Sequence, residues 1–204
     1  MVFDGTWIPY DSTVKTVRLL LFCLLEDVGK WDRIIENMYM TERQVNFMRI
    51  GQSTDIHQLS SDRKLVIGGV EIESDLGLVG HSDADALTHA LAEAVLGALA
   101  LGDLGKWFPD TDPKWKGVNS QIILKEVWRM MDERGYRLGN ADTLIMIEKP
   151  KMAPHIQKMR ENFAEAMHCE IDRISVKATR GEKIGFVGRR EGVMAQAVVL
   201  LEEK

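Results

Sequence analysis

The stretch Gly80–His89, GHSDADALTH, holds two of the chain's five histidines and two aspartates. Histidine and aspartate are the ligands that zinc-class cations take. Geometry limits how they combine. If His81 and His89 were both helical, the 1.5 Å rise per residue would set them about 12 Å apart, too far to share an ion. Asp85 and His89 are i and i+4, on one helix face. A second fragment, Asp55-Ile56-His57, carries two ligand types at i and i+2, which point the same way in an extended segment. Asp55, His57 and His89 together make a three-ligand set with an open position, the usual design of a catalytic zinc site. Asp85 either replaces Asp55 in that set or orients His89 from behind. Taken singly, each fragment favours the plainer reading, a chance D-x-H or a buried helix histidine; together, flanking a capped helix, they point to a metal. His81 and Ser82 sit where a helix begins, and the free N–H groups and positive dipole end of a helix attract anions. They are read as a phosphate contact, against the alternative of a backbone-bonded loop histidine. Asp83 is read as favouring the dipole in the first turn.

These side chains need elements to hold them. MRIGQ (48–52) reads as a short strand, and KLVIGGVEIE (64–73) as strand, Gly-Gly turn and strand. Ser82 stands three residues before Asp85, ahead of an Ala/Leu-rich run to Leu101. That predicts a capped helix ended by Gly102. GDLGKWFPDTDPKWKG (102–117) reads as a long loop. Ser120 is predicted to cap the next helix, with Ile123, Val127, Met130 and Met131 at helical spacing and Gly135 stopping it. DTLIMIE (142–148) reads as a strand, and Pro154 opens a helix running roughly to His168. ISVKAT (174–179) and VMAQAVVLL (193–201) read as strands around the loop 180–192. Strands alternating with helices of this length predict an α+β or α/β layered domain.

Residues 1–47 differ in character and contain no histidine. They are read as an accessory segment or as the product of a start called too early, with Met48 opening the organised domain 48–204. The composition, 45% hydrophobic and 28% charged, is that of a soluble globular protein. A formal net charge of -5 argues against a broad nucleic-acid footprint. No run reaches the ~18 apolar residues of a membrane span. Cys23 and Cys169 make no disulfide framework and fit a reducing, cytoplasmic setting. A P-loop reading of GALALGDLGK fails, because Asp103 stands where the motif needs lysine.

Five blocks occur in a fixed order: D-x-H, HSDADALTH, GDLGKWFPDTDP, KPKMAPH and KATRGEKIGFVGRREG. In this the chain, from Met48 to nearly its end, resembles the 2-C-methyl-D-erythritol 2,4-cyclodiphosphate synthases. The resemblance implies an α+β fold, with a mixed β-sheet and helices packed on one face. It implies a homotrimer with active sites between subunits. The reaction implied converts 4-diphosphocytidyl-2-C-methyl-D-erythritol 2-phosphate to the 2,4-cyclodiphosphate with release of CMP, in the non-mevalonate route to isoprenoids. By the same resemblance Asp55, His57 and His89 hold Zn²⁺, and Glu182 is a ligand of a Mg²⁺ or Mn²⁺ on the substrate diphosphate. His81 and Ser82 contact phosphate. Asp103, Leu104 and Gly105 hold the erythritol part, and Phe108, Pro109, Asp110, Thr111 and Asp112 form a substrate loop. Pro150, Lys151, Met152 and Ala153 form the cytidine pocket. Thr179 binds substrate, Arg180 takes the catalytic position that contacts the diphosphate, and Phe186 and Arg189 line a central cavity.

The chain departs from the family pattern in places. KATRGEK replaces the commoner KATTTEK, so Arg180 stands where a threonine is credited with contacting the diphosphate, and Gly181 replaces another. An arginine still binds phosphate, bidentately and with full charge. Glu93 stands where Asp is common, and GQSTDIH replaces GHGFDVH. Two other readings stay in play: a zinc phosphohydrolase, and a non-catalytic trimeric zinc- or nucleotide-binding protein.

Overall fold

The computed structural model describes residues 47–204. The reading of 1–47 as an extension therefore concerns residues outside those described, Phe47 excepted. The first strand, β1 (Met48–Ser60), is far longer than MRIGQ suggested. It runs through Asp55 and His57 because it pairs along its length with the last strand, from Met48↔Glu202 to Gln58↔Gly192. Gly51, Ser53, Asp55 and His57 are the more buried positions of β1, and the residues between them are exposed. The period-2 parity thus settles which side chains face the interior.

The elements that follow are β2 (Leu65–Ile67), β3 (Val70–Ile72), β4 (Gly77–Leu78) and α1 (Ala86–Ala98). Next come α2 (Leu104–Trp107), a 3₁₀ turn at Pro113–Trp115, α3 (Ser120–Asp132) and β5 (Tyr136–Met146). The chain ends with α4 (Ile156–Ala166), β6 (Ile174–Thr179), α5 (Gly185–Gly188) and β7 (Gly192–Glu203). The main sheet has the order β4-β1-β7-β5-β6; β5 and β6 are parallel and the other pairs antiparallel. β2 and β3 form a separate hairpin, as the Gly-Gly signal predicts, with φ of +59° and +70° at Gly68 and Gly69. One face of the sheet is packed: Val193, Ala195, Ala197, Val199 and Leu201 of β7 are all nearly inaccessible. The mixed sheet with helices matches the expected α+β class.

Helix α1 lies on β1 and β7. Gly51 permits this, since a Cβ there would stand 1.9 Å from the Ala94 carbonyl oxygen. The close approach brings the His89 face of α1 down on Asp55. Leu87, Leu91, Val95 and Leu96 of α1 are fully buried, so the helix is a core element rather than a surface one.

Several boundaries differ from the sequence reading. Asp85, not Ser82, caps α1: its carboxylate accepts from the Thr88 amide at 3.1 Å. Ser82 cannot do so because Ala84, at φ +60°, turns the chain out of the helical path between them. Helix α1 ends at Ala98 rather than Leu101. Asn119, not Ser120, caps α3, accepting from Gln121 N at 2.8 Å. Strand β5 starts six residues earlier than expected, at Tyr136, because Tyr136–Leu138 pair with the end of β7. The two long loops each contain short helices, at 104–107, 113–115 and 185–188.

Asp85 is fully buried, and its role extends beyond the cap. Its two oxygens accept from Gly68 N (2.8 Å), Gly69 N (2.6 Å) and the Thr88 hydroxyl (2.5 Å) as well as Thr88 N. One carboxylate therefore ties the β2–β3 turn to the start of α1. Burial pushes its pKa up, and these four donors pull back against that. Asp85→Ala removes the cap and leaves the buried Gly68 amide and the half-buried Gly69 amide unpaired. It should cost about 2–4 kcal/mol in urea unfolding; a loss below about 1 kcal/mol would contradict this role.

Candidate metal and phosphate site

Strand β1 and helix α1 bring three ligand types together. Asp55 Oδ2 lies 3.0 Å from His57 Nε2 and 3.2 Å from His89 Nδ1. One ligating atom from each residue falls within 4.8 Å of the others. The second nitrogen of each ring is committed. His57 Nδ1 stands 2.7 Å from the Val79 carbonyl, which can only accept, so Nδ1 carries the proton and Nε2 the lone pair. His89 Nε2 lies 2.9 Å from Ser120 Oγ and 3.0 Å from Ser82 Oγ. Two imidazole lone pairs and a carboxylate converging on one point fit a divalent cation of the zinc class.

The electrostatics agree. Burial works to raise the Asp55 pKa, but the hydrogen bonds and charges of His57 and His89 outweigh it and hold the carboxyl well below its usual range. Burial likewise works to lower the His57 pKa. The Asp55 hydrogen bond and charge, with the Val79 carbonyl, outweigh it, and the net shift is upward. Asp55 therefore favours the protonated form of His57 when no cation is present.

His81 and Ser82 stand beside this group. Their loop is held against the approach to α3: the His81 carbonyl accepts from Gly117 N at 2.8 Å, and Asp83 N donates to Val118 O at 3.1 Å. With Asp55, His57 and His89 they wall an open cavity of about 270 Å³, closed further by Glu93, Leu104, Phe108, Asp110, Trp115 and Ile123. The Phe108 and Trp115 rings meet edge to face, centroids 4.9 Å apart. Of the expected substrate loop, Phe108 and Asp110 reach the cavity wall. Asp103 caps α2 through Lys106 N (3.0 Å) and Asp112 caps the 3₁₀ turn through Lys114 N (2.9 Å).

Two readings of single residues are corrected. Asp85 is neither a ligand nor the support of the His89 ring; its oxygens face Gly68, Gly69 and Thr88. Asp83 is not in the first turn of α1. Its carboxylate accepts from Ser120 N (3.1 Å) and Ser120 Oγ (2.5 Å), at the start of α3. Sequence reasoning missed Ser120, Val79 and Trp115 as parts of this site. Ser120 is far from His89 in the chain, and its position suggested a helix cap.

A second group of expected residues assembles elsewhere in the chain. Thr179 pairs with Met146 at the end of the parallel β5–β6 ladder, and its carbonyl accepts from Ile147 N at 3.0 Å. The Pro150–Ala153 segment follows β5 and the Arg180–Glu182 segment follows β6, so both leave the sheet at the same place. Met152 is buried; Lys151, Ala153, Thr179, Arg180 and Glu182 are exposed. Gly181 is fitted to this loop, since a Cβ there would meet Gly188 N at 2.4 Å. Within one chain this group is not part of the metal cavity wall. Asp55 pairs with Ala195, Ala195 with Ile145, and Ile145 with Ala178. Three strand spacings, about 14 Å, separate the two groups across the sheet. Phe186 lies in α5, and Arg189 is paired with Glu191 at 2.9 Å. No helix among the described residues is long and apolar enough to cross a membrane.

Comparison with known proteins gives a consistent result. The YgbB family matches residues 48–202. The 2-C-methyl-D-erythritol 2,4-cyclodiphosphate synthase of Chloroherpeton thalassium is 58% identical over 156 residues, covering 76% of this chain and 99% of the relative. That of Geobacter sulfurreducens is 55% identical over 157 residues, covering 77% of this chain and 100% of its own. Among solved structures, the bifunctional IspDF from Campylobacter jejuni matches with TM-score 0.75 and 40% identity, over 78% of this chain but 43% of that longer one. The CDP complex of IspF from Plasmodium falciparum matches with TM-score 0.69 and 30% identity, over 79% and 99%.

Two outcomes follow from the geometry. His89→Ala should abolish retention of zinc by the purified protein; unchanged zinc content by elemental analysis would refute the ligand set. Protons and zinc compete for the same nitrogens. Because the His57 pKa is raised, zinc affinity should begin to fall as pH drops while still above the ordinary imidazole value of 6.5. An affinity flat down to that value, measured by competition titration, would contradict the coupling to Asp55.

Proposed function

The chain belongs to the YgbB family of 2-C-methyl-D-erythritol 2,4-cyclodiphosphate synthases, and from that premise we infer how its residues act. It converts 4-diphosphocytidyl-2-C-methyl-D-erythritol 2-phosphate to the 2,4-cyclodiphosphate and releases CMP, in the non-mevalonate route to isoprenoids. The observation that carries this reading at the site is the convergence of Asp55, His57 and His89 beside His81 and Ser82 in one cavity.

The reaction needs no nucleophile from the protein. An oxygen of the substrate's 2-phosphate forms a bond to the β-phosphorus, and the bond from that phosphorus to the bridging oxygen breaks. CMP leaves with the bridging oxygen, and no water is consumed. The work is positioning and charge neutralisation. Asp55, His57 Nε2 and His89 Nδ1 would hold Zn²⁺, which supplies a Lewis acid for a phosphate oxygen. His81 and Ser82 hydrogen-bond phosphate oxygens at the cavity rim. Leu104, Phe108 and Trp115 shield the erythritol portion from water, and Asp110 offers it an acceptor. Asp103, with Gly105 beside it, and Pro109, Thr111 and Asp112 shape the same loop.

The cytidine and diphosphate side is assigned to Pro150, Lys151, Met152 and Ala153 with Thr179 and Arg180. Glu182, exposed on its loop, would give the protein ligand to a Mg²⁺ or Mn²⁺ that otherwise binds phosphate oxygens and water. Arg180 supplies full charge where the family pattern has a hydroxyl. A homotrimer is supported by two features. Ile50, Ile56 and Val198 leave one sheet face apolar and exposed. The metal group and the cytidine group also lie at opposite sides of one chain's sheet, so a second copy is needed to set them edge to edge. Phe186 and Arg189 are assigned to a central cavity between the copies.

Incubating the protein with substrate, zinc and magnesium should give CMP and a cyclic diphosphate in equal amounts, read by ³¹P NMR. Free phosphate or a ring-opened product would favour the phosphohydrolase reading. Nucleotide binding without turnover would favour a non-catalytic protein, with Arg180 as its mark. Val198→Glu should break the trimer in sedimentation analysis; an unchanged mass would place the interface elsewhere. The family match begins at Met48, and we propose that 48–204 is the catalytic domain. A form starting at Met48 should keep turnover, and its loss would assign a role to 1–47.

A further inference from the structure

His89 must turn Nδ1, with its lone pair, toward Asp55 if it is to act as a ligand. That requires the proton to sit on Nε2, and Nε2 faces two hydroxyls, Ser120 Oγ at 2.9 Å and Ser82 Oγ at 3.0 Å. A hydroxyl is ambivalent: it can accept from an N–H or donate to a bare nitrogen. A free serine there fixes nothing. Ser120 is not free. Its hydroxyl lies 2.5 Å from Asp83 Oδ1, and a carboxylate only accepts, so the Ser120 proton is committed to Asp83. Asp83 is itself held by Ser120 N at 3.1 Å and Asp85 N at 3.3 Å. Ser120 is fully buried, so water does not compete for this arrangement.

We propose that Asp83 and Ser120 are positioning residues that lock the His89 tautomer: carboxylate, serine hydroxyl and imidazole form a one-way chain leaving Nδ1 bare toward Asp55 and His57. The chain performs the task that a direct carboxylate–histidine contact performs at other metal sites, with a serine interposed. It also separates the roles of the two serines. Ser82 Oγ accepts from Ala84 N at 3.2 Å, and among the described residues its own proton has no fixed acceptor other than Ser120 Oγ at 3.3 Å. With His89 oriented by Ser120, the Ser82 proton is available to a substrate phosphate oxygen at the cavity wall. This inference deepens the metal reading above and rests on it.

Two measurements test it. The first is the ¹⁵N spectrum of histidine-labelled, metal-free wild-type protein at alkaline pH, where the two ring nitrogens report the tautomer. His89 should be protonated on Nε2; protonation on Nδ1 would overturn the proposal, whether or not zinc binds. The second compares zinc affinity and tautomer in Ser120→Ala and in Asp83→Asn, which keeps the volume. Each should weaken zinc binding by about 10–100-fold and give a mixed His89 tautomer, with thermal unfolding confirming a folded protein. In either folded variant, wild-type zinc affinity together with an unmixed Nε2–H tautomer would overturn it. Failure of the wild type to bind zinc would overturn the metal reading instead, and the tautomer would still decide the relay.

Discussion

Two imidazoles can turn their lone pairs toward one carboxylate only if the other nitrogen of each ring is held elsewhere. That constraint organises the site and much of the fold around it. For His57 the hold is the Val79 carbonyl, just after the short β4 pairing that flanks β1. For His89 it is the Ser120 hydroxyl at the start of α3. The site therefore needs β1, the β4 edge, α1 and α3 in fixed relation, and the structure provides that relation by close packing. Gly51 lets α1 settle against β1, strand parity turns Asp55 and His57 inward, and Asp85 fastens the head of α1 to the β2–β3 turn.

Stability and function meet at the start of α1. The sequence between His81 and the first residue of α1 contains three carboxylate or hydroxyl groups that point in three directions: Ser82 to the cavity, Asp83 to Ser120, and Asp85 into the core. Only the last is a helix cap. The loop ahead of the helix stays free to face substrate because the cap lies deeper than its composition suggests. Across the sheet, the ends of β5 and β6 assemble the second group of residues, exposed apart from Met152 and Pro150 and separated from the metal cavity. A cyclisation that must bend a long substrate back on itself suits a cleft made of two such halves.

Much of this was legible in the chain, for local reasons. Spacing at i and i+2 in a strand constrains Asp55 and His57 without reference to the rest of the protein, and the Gly68–Gly69 turn and the Gly135 helix stop are similarly local. The role of Asp85 was not legible, because its partners at Gly68 and Gly69 come from another element. The capping of α3 by Asn119 was hidden because Ser120 is an equally good cap residue until Asp83 claims its hydroxyl. The length of β1 followed from pairing with β7 at the far end of the chain, which no window around MRIGQ contains. The departures from the family pattern were visible, but only the structure shows that Gly181 is fitted to a loop packed on Gly188 and that Glu93 is held by Ser53 at 2.6 Å.

The central claim is that one divalent cation sits among Asp55, His57 Nε2 and His89 Nδ1, with the remaining nitrogens held by protein. Anomalous diffraction at the zinc edge, on crystals of the zinc-loaded full-length protein, tests it most directly. One strong peak per chain is expected, about 2 Å from those three ligating atoms, with His89 Nε2 still on Ser120. A metal bound through His89 Nε2, a metal ligated by Asp85, or no peak at the triad would contradict it.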